Sequence, residues 1–159
     1  EGVARRNRIM SYSLLVKGQF ANGKSRSAGI HWPGHTITPE IHQRVQQYEK
    51  VFQKELVEAP KTMAGLPTFE YIEIQLHKNP PQGAGTCEKV FLAVTLNSLA
   101  KLTAQYGMPI NGSRGQINPH YQYNPKGIVV DLTKERTPEA FWRAVRIYTN
   151  NCRKRLFGV

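Results

Sequence analysis

The chain predicts an α+β fold, a mixed β-sheet packed with helices. Three observations lead there. Two helix starts share one build, Thr38-Pro39-Glu40 and Thr137-Pro138-Glu139; the run 69–77 alternates strictly between apolar and polar residues; and strand-like and helix-like segments are interspersed along the chain. With 159 residues, 40% of them hydrophobic, the chain is long enough to bury a core as one domain, 1–159.

Arg8 to Phe20 (RIMSYSLLVKGQF) reads as a strand ending at the turn Ala21-Asn22-Gly23. Thr38 is a hydroxyl N-cap, Pro39 occupies the first helical position, and Glu40 sits at the positive end of the helix dipole. Ile41, Val45, Tyr48, Phe52 and Leu56 then recur at helical spacing, and Pro60 stops the helix. In Phe69 to His77 (FEYIEIQLH), Ile72, Ile74 and Leu76 share one face, while Tyr71, Glu73, Gln75 and His77 share the other.

Asn79 to Thr86 (NPPQGAGT) is a turn-rich loop. The next stretch suits a strand in VFLAVTL or a single helix from Thr86; a helix is expected at least from Asn97 to Tyr106, closed by Gly107. Ile128 to Leu132 (IVVDL) reads as a short buried strand. After Thr137, the residues Phe141, Val145, Tyr148 and Cys152 form the apolar stripe of a final helix. No apolar run approaches the roughly 18 residues of a membrane span, so no membrane partner is expected. Glu1 to Arg8 lacks the apolar core of a signal peptide. The chain opens without Met and is expected to be the C-terminal part of a longer protein.

The net charge of +11 is grouped: residues 1–30 carry six basic groups and one acidic, 31–100 six and seven, 101–159 ten and three. Such a field suits a polyanion, a nucleotide, an anionic membrane surface or an acidic protein partner. Cys87 and Cys152 form neither a metal-ligand pair nor a disulfide framework.

The strand at 69–77 carries the chemistry best. Glu73 on its polar face can act as general base or bind a metal ion, while Gln75 and His77 can hold phosphate oxygens or a sugar hydroxyl. Glu73-Ile74-Gln75-Leu76-His77 resembles the glutamate–x–glutamine strand of RelA/SpoT-homologue synthetases, the pyrophosphokinases that make alarmones. His77 stands where that family usually has arginine. Gly23-Lys24-Ser25-Arg26-Ser27, after the first strand, is similar in composition to the family's phosphate loop.

The resemblance implies a RelA/SpoT synthetase-like fold, with ATP and an acceptor nucleotide as ligands and Mg²⁺ as cofactor. It places catalysis on Glu73 and Gln75, metal contact on Glu73, and phosphate contacts on Lys24, Ser25, Arg26 and His77. The family's metal-binding aspartate lies between phosphate loop and glutamate strand, whereas the single aspartate here is Asp131; the lysine–glycine–tyrosine acceptor segment is also missing. These departures fit a divergent, interbacterial-toxin type making (p)ppApp. By that analogy it is a secreted effector acting in a target cell's cytoplasm and silenced by an immunity protein.

Two other classes stay open. Arg143, Arg146, Arg153, Lys154 and Arg155, with no acid after Glu139, suit a nucleic-acid-binding module, or a metal-independent nuclease using His77 and His120. Under the synthetase reading, nucleic-acid binding is expected to be non-specific at most. Cys87, placed at a helix N-terminus, could join His120 and Asp131 in a hydrolase. A zinc deaminase is excluded by its ligands: there is no His-x-Glu and no second cysteine near Cys87. His31 and His35 bracket Trp-Pro-Gly and read as loop residues.

Overall fold

The computed structural model describes residues 9–34, 38–112 and 127–159. Six strands form one sheet in the order β2-β1-β3-β4-β6-β5. They are β1 (Ser11–Phe20), β2 (Ser25–Pro33), β3 (Phe69–Asn79), β4 (Thr86–Ala93), β5 (Ile110–Asn111) and β6 (Ile128–Asp131). The first four in spatial order pair antiparallel, whereas β6 runs parallel to β4 and to β5. The sheet is therefore mixed, as expected from the interspersed pattern.

Helix α1 (Pro39–Phe52) starts on the Thr38 hydroxyl, which accepts the Ile41 amide at 3.4 Å, and runs on into a π-helical turn, Gln53–Val57. Helix α2 (Leu96–Tyr106) is set by a reciprocal capping box between Thr95 and Ser98 and ends at Gly107, with φ 107°. Helix α3 (Pro138–Phe157) repeats the Thr-Pro start, and its last turn closes on Gly158 in the left-handed conformation. α2 supplies the crossover that a parallel β4–β6 pair requires.

Both long helices lie on one face of the sheet. Ile41, Tyr48, Phe52 and Leu56 of α1, and Phe141, Val145, Tyr148, Cys152 and Leu156 of α3, pack there with Leu14, Val16, Ile72, Ile74, Leu76, Val90 and Leu92. Gly18 has a packing reason: a Cβ built there would lie 2.5 Å from the Phe69 ring, so only glycine lets that ring rest on β1. On the opposite face α2 covers one end, burying Phe91, Ala93, Leu102 and Val129, with Tyr71, Leu99 and Tyr106 packed against them. The remainder of that face is mostly polar, with Leu15 set between Ser13 and Lys17 opposite Gln75.

One expected loop is a strand. Residues 25–33 form the edge strand β2, paired along β1 from Ser11↔Pro33 to Gln19↔Ser25. Gly23-Lys24-Ser25-Arg26-Ser27 is thus a hairpin turn running into that strand rather than a loop. His31 likewise lies in β2, and His35 falls outside the described residues. Pairing with β1 overrides the weak strand propensity of Ser, Gly and Pro in this segment.

Candidate active site

Strand alternation brings Tyr71, Glu73, Gln75 and His77 of β3 to the polar face, between β1 and β4. Register decides their neighbours. Lys17 lies directly opposite Glu73, Lys89 opposite Gln75, and Ser13 and Cys87 on either side of His77. Glu73 is only 5% exposed. Its carboxylate has Lys17 Nζ at 3.6 Å and Lys89 Nζ at 3.8 Å, from side chains that are themselves 29% and 39% exposed. Both distances exceed those of a hydrogen-bonded ammonium, so the two cations hold the carboxylate by charge rather than by tight contact.

A directed chain runs along the strand. Gln75 Nε2 donates to Glu73 Oε2 at 2.5 Å, which leaves Gln75 Oε1 as acceptor for His77 Nε2 at 2.9 Å. Because the salt-bridged carboxylate only accepts, the Gln75 amide has one orientation, and His77 must carry its proton on Nε2. Gln75 and His77 thereby aim Glu73 instead of competing with it.

The same tautomer bears on the cysteine reading. Cys87 Sγ lies 3.6 Å from His77 Nε2, but that nitrogen donates to Gln75 and has no lone pair for the thiol. Burial pushes the Cys87 thiol up, with Lys89 opposing and Glu73 and Glu88 reinforcing. Cys87 sits on strand β4, not at a helix N-terminus. Asp131 pairs with Ala93, six residues further along β4, about 20 Å away at strand rise. His120 lies outside the described residues. The Cys87–Asp131 half of the expected triad is not assembled.

Glu73, Gln75 and His77 thus come together as expected. The cations expected from the hairpin do not join them. Arg26 shares the two-residue register of buried Ala28 and Ile30 and so belongs to the helix-covered face; Ser25 lies beside Gln19 at the far end of β2, and Lys24 sits in the turn. Lys17 and Lys89 take their place, and sequence reasoning missed both. A faint signal existed, since Lys17 interrupts the apolar run of β1 at an outward position, but only register shows that it meets Glu73.

Mg²⁺ demands near-octahedral oxygen ligands. Around Glu73 the close partners are two ammonium groups and an amide NH₂, all donors. Among the described residues no three His, Cys, Asp or Glu side chains group as metal ligands. This set does not fit a resident Mg²⁺.

The basic end of α3 is partly neutralised. Arg153 pairs with Glu49 of α1 and donates to Asn150, and Arg155 pairs with Glu88 at 3.1 Å. Arg143, Arg146 and Lys154 face outward. Among the described residues no helix is long and apolar enough to cross a membrane. Comparison with protein-family models, curated proteins and solved structures gives no match for the chain.

Proposed function

We propose that this face carries out pyrophosphate transfer from ATP to the 3′-hydroxyl of a second nucleotide, with Glu73 as general base. The observation that carries the reading is the Glu73 carboxylate itself: shielded, aimed by Gln75 and His77, and held loosely between Lys17 and Lys89. A carboxylate with two cations beside it suits a reaction that combines proton removal with a strongly anionic partner.

The chemistry follows from the charges. A triphosphate carries more negative charge than one carboxylate, so it draws the Lys17 and Lys89 ammonium groups onto its oxygens. Glu73 keeps its Gln75 contact and is released to accept a proton. The acceptor's 3′-oxygen attacks the β-phosphorus, its proton passes to Glu73, and the bond from the β-phosphorus to the bridging α–β oxygen breaks, releasing AMP. Mg²⁺ arrives on the ATP phosphates as part of the substrate. Much of the acceleration in such a reaction comes from holding the two nucleotides in line.

Incubation with ATP, ADP and Mg²⁺, with products resolved by ion exchange, tests the reading. A 3′-pyrophosphorylated nucleotide and AMP in equal amounts are expected. No product with any purine acceptor, from protein that binds ATP, would end it.

A further inference from the structure

Beside the Glu73 row lies a cleft to which the reaction above assigns no role. It has a volume of about 520 Å³ and sits between the β1–β2 turn and α2. Ligand pockets typically measure about 300–1,000 Å³. Asn97, Lys101 and Gln105, spaced four residues apart on α2, line one wall; Gln19, Phe20 and Tyr71 line the other. Leu99, Leu102 and Tyr106 turn α2 toward the sheet, so the amide-bearing stripe is left to the cleft.

Three features of this lining point to one ligand class. The first is a pair of aromatic side chains, with the Tyr71 ring held edge-on to Phe91 at 6.0 Å between centroids. The second is a set of amides at the rim: Asn97 Nδ2 donates to the cleft-lining Glu70 carboxylate at 3.4 Å, which leaves the Asn97 carbonyl oxygen for a ligand. Gln19 Nε2 donates to the Lys24 carbonyl at 3.1 Å, which leaves its own carbonyl oxygen for a ligand, and Gln105 projects from the exposed side of α2. Side-chain amides match the paired donor and acceptor on the edge of a purine, above all N6 and N7 of adenine. The third is position. Gln19 pairs with Tyr71, two residues along from the Lys17–Glu73 pair on the same face. That step is about 7 Å at strand rise, comparable to the reach from a base to its ribose hydroxyls.

We infer that this cleft is a purine site, seating the base of the acceptor nucleotide so that its ribose lies over Lys17 and Glu73. Lys101 is then placed for the acceptor's 5′-phosphate. The inference rests on the phosphotransfer reading for the word acceptor, but not for the binding of a purine.

Binding is measured by calorimetry for AMP, GMP and ribose 5-phosphate, on the wild-type chain and an Asn97→Ala/Gln105→Ala double variant. Asn97 and Gln105 are both exposed on α2, so the double variant retains the fold. AMP is expected to bind at least about tenfold tighter than ribose 5-phosphate and to lose about tenfold in the double variant, while ribose 5-phosphate is unaffected. Tighter binding of GMP with the same dependence on the two amides also supports a purine site. Equal affinity for AMP and ribose 5-phosphate, or purine affinity untouched in the double variant, overturns it. If the wild-type chain binds AMP through the two amides yet makes no product from ATP, the purine site stands and the phosphotransfer reading falls. If product forms but binding ignores Asn97 and Gln105, only the purine site falls.

Discussion

The two faces of β3 are built from neighbouring residues of one strand and do opposite work. Ile72, Ile74 and Leu76 are fully buried beneath the long helices, whereas Glu73, Gln75 and His77 form a hydrogen-bonded line between two lysines. The first face is held by apolar area removed from water and by close packing. The second is held by charge and directed hydrogen bonds at distances that a competing anion can change. Stability should therefore be concentrated on one side of the strand and chemistry on the other.

The sharpest way to break this division is to change adjacent residues. Glu73→Gln should cost about 10²–10⁴-fold in pyrophosphate transfer while the thermal midpoint stays close to the wild type. Its side chain keeps the volume, and Lys17 and Lys89 retain access to water. Ile74→Ala should do the reverse, losing about 2–5 kcal/mol in denaturant titration by opening a cavity under α3. Loss of folding in Glu73→Gln would show that the polar face is structural as well.

A smaller effect tests which cations matter. Lys17→Ala and Lys89→Ala should each weaken ATP binding by about tenfold, with added salt weakening it further. Arg26→Ala should leave ATP affinity unchanged, because that side chain belongs to the helix-covered face. Equal losses at Lys17 and Arg26, read by calorimetry, would mean that phosphate does not sit over Glu73.

The mildest test concerns the apolar face at high pH. Burial pushes the Tyr148 hydroxyl up to about 12. An unfolded tyrosine ionises near 10, so between about pH 10 and 12 the unfolded chain loses a proton that the folded chain keeps. The stabilisation is present below pH 10 and falls away as pH rises through that window. Urea midpoints across it should decline less in Tyr148→Phe than in the wild type.

Local patterns made much of the fold legible. The Thr-Pro-Glu starts of α1 and α3 state their own caps, and the alternation in β3 assigns Tyr71 to His77 to their faces. The ambiguous stretch after Thr86 resolves into strand β4 and helix α2, with the helix ending at Gly107 as expected. β2 escaped because its alternation is written in small residues: Ser25, Ser27 and Gly29 against Arg26, Ala28 and Ile30. Those residues form a strand only because β1 offers an edge to pair with.

The candidate site divides the same way. That Glu73, Gln75 and His77 share a polar face was already settled by the two-residue period of a strand, a purely local property. That Lys17 and Lys89 flank the carboxylate, that Arg26 turns away from it, and that Cys87 and Asp131 stand far apart on one face were decided by tertiary structure. Register between strands depends on pairing across the chain, and a slip of one residue would send every one of these side chains to the other face. The cleft beside Tyr71 is likewise a tertiary product, since α2 and the β1–β2 turn meet there from opposite sides of the sheet order.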